Sequence, residues 1–171
     1  MASRRTKFRK LALKINSEQL VRLNRGVYAL PHDLEGLEGD FYKASLVCGK
    51  PSAICLLSAL QYYGLTEQIF GGIWVLVPYT RTPRKSKSIR VVRSRTPHFR
   101  TGIRSEKQFR ITNIERTLVD TFAYSRQVGI NTAVFALKKA IQTKITTKEK
   151  VFLMAKKLKQ VKLLLPYLES L

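Results

Sequence analysis

The chain has 171 residues, 44% of them hydrophobic, which is enough for a real core in one domain or one domain plus a small appendage. Its 32 Lys and Arg against 11 Asp and Glu leave a net charge of +21, so the expected partner is a polyanion, nucleic acid first and anionic membrane surface second. No apolar run of roughly 18 residues, signal peptide or lipidation motif is present, which argues against a membrane role and for a soluble, intracellular chain.

Residues 3–14, SRRTKFRKLALK, space Phe8, Leu11 and Ile15 as one helical stripe, with Leu13 nearby. Arg4, Arg5, Lys7, Arg9, Lys10 and Lys14 cover the rest, so this short helix is a candidate to enter a nucleic-acid groove rather than lie solvated. In EQLVRLNRGVYAL (18–30), two runs rich in Leu, Val and Tyr flank Asn24-Arg25-Gly26, which predicts a β-hairpin with Arg25 at its tip. A helix over 17–24 competes, since Leu20 and Leu23 also suit it. Helix followed by hairpin is the back half of a winged helix-turn-helix.

Residues 31–40, PHDLEGLEGD, carry four carboxylates, two glycines and no Lys or Arg, and are expected as an acidic linker. Asp33, Glu35, Glu38 and Asp40 lack the spacing of a Ca²⁺ loop. A short helix is expected over 41–49. The stretch PSAICLLSALQYYGLTEQ (51–68) is apolar nearly all round from Ala53 to Leu60, and predicts a buried helix around which the fold is organised. Tyr62, Tyr63 and Gln61 are expected near its exit, where polar tips reach partners. Cys48 and Cys55 are not spaced as a metal pair, and His32 and His98 complete no zinc site, so both are expected as buried free thiols.

GGIWVLVPY (71–79) reads as a buried strand and SIRVVRSR (88–95) as a second, joined by a basic loop. Residues 81–110 hold 11 Lys and Arg against one Glu, and cations this crowded repel one another unless a polyanion is near. Arg81, Arg84, Lys85, Lys87, Arg90, Arg93, Arg95 and Arg100 are therefore candidate phosphate contacts.

Thr112-x-x-Glu115 and Thr146-x-x-Glu149 have the form of capping boxes before helices, and Arg116 and Asp120 are four apart, within reach of an ion pair. These roles account for Glu115 and Asp120 without catalysis, since no nucleophile, metal set or phosphate loop accompanies them. A helix is predicted over 129–141 from Ile130, Val134, Leu137 and Ile141. Another follows with Val151, Phe152, Ala155 and Leu158, and Pro166 is expected to bend or restart the last segment.

In this order, RGVYALP (25–31), PSAICLLSALQYYGLTEQ (51–68), IWVLVP (73–78) and ITNIERTLVDTF (111–122) followed by GINTAVFALKKAI resemble the AbiEi family, the antitoxins of type IV toxin–antitoxin pairs in abortive-infection E systems. The resemblance spans about residues 15–142. It implies a non-catalytic antitoxin that opposes a nucleotidyltransferase-like toxin in a prokaryotic cytoplasm. It also implies an autoregulator that binds operator inverted repeats in DNA, with no cofactor. The implied fold is α+β: a winged helix-turn-helix joined to an antitoxin domain with a small sheet packed on several helices.

The residues ahead of the hairpin have room for one helix, whereas the family usually carries two more. The expected organisation is thus a truncated winged element over 1–31, an acidic linker over 32–40 and an antitoxin domain over 41–171. A stand-alone DNA- or RNA-binding accessory protein with no toxin partner is the alternative. A metal-dependent nuclease would need clustered carboxylates, which the central strands lack.

Overall fold

Val21–Asn24 (β1) and Val27–Ala29 (β2) pair antiparallel around Arg25 and Gly26, the latter at φ +74°, so the expected hairpin is present and the competing helix over 17–24 is not. The computed structural model of the chain describes residues 12–15, 17, 19–68, 71–83, 86–94 and 99–170. Of the basic helix expected over 3–14, residues 12–14 are helical and the remainder lies outside the described residues.

The acidic stretch after the hairpin, expected as a linker, is largely helical. Pro31–Leu34 makes one 3-10 turn, and helix α1 spans Gly36–Cys48, five residues earlier than the start expected at 41. The glycines that suggested a loop serve this packing. A Cβ on Gly39 would lie 2.2 Å from the Leu34 carbonyl carbon, so only glycine lets the 3-10 turn fold back against α1.

The apolar stretch 51–68 divides in two. Ala53–Ile54 is a strand, β3, and Leu56–Tyr62 is helix α2. Periodicity alone does not separate a buried strand from a buried helix, and sheet pairing decides it here. Two strands follow, β4 (Ile73–Val77) and β5 (Ile89–Arg93), both as expected. The short strands β6 (Ile103–Ser105) and β7 (Arg110–Thr112) were not anticipated in the basic segment. They complete a mixed five-stranded sheet of order β5-β4-β3-β7-β6, with β3 antiparallel to β4 and parallel to β7, β4 parallel to β5, and β6 antiparallel to β7.

The rest is helical: α3 (Ile114–Ala123), α4 (Ser125–Val128), α5 (Ile130–Gln142), α6 (Lys148–Lys157) and α7 (Val161–Glu169). The fold is α+β. Alternation along the strands divides the core between two faces of the sheet. Ile54, Val75, Val77 and Ile111 meet Phe41, Ala44 and Cys48 of α1. Trp74, Leu76 and Val92 meet a layer formed by α2, α3 and the helices after it. The 51–68 stretch supplies both clusters, with Ile54 and Ala59 in one and Leu56, Leu57 and Leu60 in the other. It is the hub, although α3, packed against α2, α5, α6 and α7, is the centre of the helical layer.

Both expected capping boxes shift by one residue. Asn113 caps α3, its side chain accepting from the Arg116 N–H at 3.0 Å, while Thr112 stays in β7. Thr147 caps α6, which frees the Thr146 hydroxyl to donate to Glu115 at 2.8 Å. Pro166 sits inside α7; the chain turns earlier, at Lys159 with φ +57°. The Tyr63 hydroxyl, at the exit of α2 as expected, donates to the Thr112 carbonyl at 2.8 Å, and burial pushes its pKa up to about 12.

Cys48 and Cys55 are free and buried. Burial raises the Cys48 thiol to about 11 despite the opposing pull of Arg81, and drives Cys55 well above its ordinary value. The thiolate is the reactive form, so both thiols are expected to resist iodoacetamide at pH 8 in the folded protein and to react quickly in denaturant. A native thiol that is alkylated as fast as a free cysteine would contradict this placement.

Candidate nucleic-acid interface

Sheet order gathers at one end of the sheet five cations that are far apart in sequence. Near that end Leu76 of β4 is level with Ala53, the first residue of β3, and Val77 is level with Arg93, the last residue of β5. Ile54 is level with Ile111, and Arg110 with Ser105 at the end of β6. Lys50 before β3, Arg81 after β4, Arg93, Lys107 after β6 and Arg110 therefore share one end. Backbone and guanidinium contacts link part of the group. Arg93 Nη2 donates to the Thr82 hydroxyl at 3.2 Å, and its Nε lies 3.5 Å from the Arg81 carbonyl. The Arg81 guanidinium in turn donates to the carbonyl of Cys48 at 3.1 Å and to that of Lys50.

Arg81 thus has a structural task that its sequence context did not suggest. It supplies donors and positive charge at the C-terminal end of α1, where carbonyls lack partners and the helix dipole is negative. Gly49, at φ +67°, makes room for it, since a Cβ there would lie 2.8 Å from Arg81 Nη2.

Beside Arg81, a cleft of about 480 Å³ opens between the end of α1 and the β6–β7 hairpin. Lys50, Lys107 and Arg110 line it together with Tyr42, Ser52 and Ser105. A second groove, of about 560 Å³, runs between the β4–β5 loop and Ile89, Val91 and Arg93, on the sheet face where α1 packs over β3 and β4.

The other expected contacts are placed elsewhere. Arg90 lies toward the opposite end of the sheet, its Nε donating to the Gly71 carbonyl at 3.1 Å and its guanidinium 5.3 Å from the Trp74 ring, a cation–π pair. Lys87 and Arg100 are exposed ahead of β5 and β6, where Lys87 lines the second groove with Arg93 and Arg100 lines a further groove of about 340 Å³ with Arg110. Arg25 is at the hairpin turn, and Lys14 is exposed on the helical residues 12–15. Arg4, Arg5, Lys7, Arg9, Lys10, Arg84, Lys85 and Arg95 lie outside the described residues.

Lys50, Lys107 and Arg110 were missed. Lys107 and Arg110 stood inside the flagged basic run, but only the β6–β7 turn brings them to Lys50. Among the described residues no group of three or more His, Cys, Asp or Glu is placed to hold a metal ion, and no helix is long and apolar enough to cross a membrane. Arg116 and Asp120 form the expected ion pair at 3.1 Å, deep in the helical layer. No protein-family model and no curated protein matches the chain.

Proposed function

We propose that the chain is a non-catalytic nucleic-acid-binding antitoxin and autoregulator that opposes a nucleotidyltransferase-like toxin in a prokaryotic cytoplasm. The observation that carries the nucleic-acid part is the convergence of Lys50, Arg81, Arg93, Lys107 and Arg110 on one end of the sheet in a chain of charge +21. Strand register brings the backbones of these five residues to one end, where Arg81 and Arg93 are held by hydrogen bonds, and positive charge gathered this way suits a phosphate backbone, which positions the complex without reading sequence. The antitoxin part rests on the AbiEi-like residues within 25–141, the operator-reading part on the basic N-terminal stretch and the hairpin.

The test is co-expression with the adjacent reading frame, read by growth and by co-purification. The full chain is expected to rescue growth. Deleting residues 1–31 should abolish operator-specific binding and preserve rescue. A truncated protein that is folded by circular dichroism yet fails to rescue would remove antitoxin activity from residues 41–171. Failure of the full chain, with DNA binding intact, would favour a nucleic-acid-binding accessory protein with no toxin partner.

A further inference from the structure

We propose that the cleft between the end of α1 and the β6–β7 hairpin binds a phosphate monoester carried on a nucleoside, either the phosphorylated end of a strand or a free nucleotide. This deepens the nucleic-acid reading, but it stands on the cleft's own chemistry.

Three cations, Lys50, Lys107 and Arg110, line a space of about 480 Å³, which falls within the roughly 300–1,000 Å³ typical of small-ligand sites. None of the three has an ion-pair partner among the described residues. Among the described residues one carboxylate lines the wall, Glu106, whose buried Oε1 accepts no hydrogen bond but lies 2.8 Å from Arg104 Nε, so its charge is offset there and it pairs with none of the three. The hydroxyl-bearing residues Tyr42, Ser52 and Ser105 also line the cleft, and Ser45 on the same wall holds a buried hydroxyl with no hydrogen-bond partner.

The backbone arrangement removes the main objection to an anion here. The wall at 48–50 is the C-terminal end of α1, whose dipole would repel a phosphate. Arg81 occupies those carbonyls, and the repulsive end of the helix is covered by a guanidinium. A phosphate monoester carries close to two negative charges at neutral pH, more than a backbone diester, and so gains most from three clustered cations. Tyr42, half-buried on the rim, offers a ring on which a base can stack.

The experiment measures binding of the full chain to one oligonucleotide in 5′-phosphorylated and 5′-hydroxyl form, and to adenosine 5′-monophosphate against adenosine. The phosphorylated strand or the nucleotide is expected to bind at least about tenfold more tightly than its unphosphorylated counterpart, the scale of one or two charge-assisted hydrogen bonds. The Lys50→Gln/Arg110→Gln variant should bring that ratio to one, and Lys50→Arg/Arg110→Lys should restore it. Preference for the nucleotide over adenosine identifies a free nucleotide as the source; preference for the phosphorylated strand alone identifies a strand end. Equal binding of phosphorylated and unphosphorylated probes by the unaltered protein overturns the proposal, as does a preference that survives in folded Lys50→Gln/Arg110→Gln. If nucleotide binds but no strand does, the cleft stands and the nucleic-acid reading falls. If the 5′-hydroxyl strand binds as well as the phosphorylated one, and adenosine as well as the nucleotide, the reverse holds.

Discussion

Replacing Arg116 by methionine is expected to destabilise the fold by about 3–5 kcal/mol, the range for breaking one side of a buried ion pair. Arg116 is 1% exposed and is the largest of the fully buried side chains. Its Nε donates to Asp120 at 3.1 Å, and its Nη1 donates to the Phe99 carbonyl at 2.6 Å and to that of Thr101. One guanidinium therefore ties the loop before β6 to α3. Methionine fills much of the volume but leaves a carboxylate and two carbonyls without their donor. Burial already pushes the Asp120 carboxyl up, and Arg116 pulls it back down. Without Arg116 its folded pKa rises further. A raised folded pKa contributes stability that is fully present below the unfolded value, near 3.8, and lost as pH rises through the folded one. The gap in stability between the two proteins should thus narrow as pH falls from 7 toward 4. Denaturant melts at both values check this, and an Arg116→Met protein as stable as the parent at pH 7 would show that the pair is not buried as described. Arg116→Met/Asp120→Leu should recover much of the loss, because paired apolar replacements remove the uncompensated charge.

Local signals in the sequence were legible where one residue type forces one geometry. Asn24-Arg25-Gly26 marked the hairpin, and the β-branched run from Ile73 to Val77 between glycines and a proline marked β4. The i, i+4 spacing of Arg116 and Asp120 marked their pair. Local signals failed where a longer-range contact decides. Ala53 and Ile54 look like the start of a helix until β4 and β7 pair with them on either side. Gly36 and Gly39 look like loop residues, yet one opens α1 and the other admits the backbone of Leu34. β6 and β7 were hidden because three residues such as Arg110-Ile111-Thr112 are too few to display alternation amid so much charge.

The candidate site divided in the same way. Arg81 and Arg93 were flagged by charge density alone, and the structure sets them beside each other. Lys50 was passed over because nothing near it in sequence is basic, and it reaches Arg110 only through the parallel pairing of β3 with β7. Arg90 was flagged by charge and turns instead to Trp74, a pairing set by the β4–β5 register. Charge density found the region, and sheet order chose the members.

The second large effect is on salt dependence. If the basic end of the sheet and the N-terminal stretch together contact six to ten phosphates, affinity for duplex DNA is expected to fall by about 10³–10⁵-fold between 50 and 200 mM salt. Each contact releases condensed counterions, so the slope of log K against log salt counts the contacts, at about 0.9 per phosphate on a duplex. The most direct measurement compares that slope for three proteins: the unaltered chain, Lys50→Gln/Lys107→Gln/Arg110→Gln at one end of the sheet, and Lys157→Gln/Lys162→Gln, exposed on α6 and α7 in the helical layer. The first variant should lower the slope by about two to three and weaken binding uniformly across sequences, while the second leaves the slope nearly unchanged. An unchanged slope in the first variant, with the protein folded, would contradict the assignment of phosphate contacts to this end of the sheet.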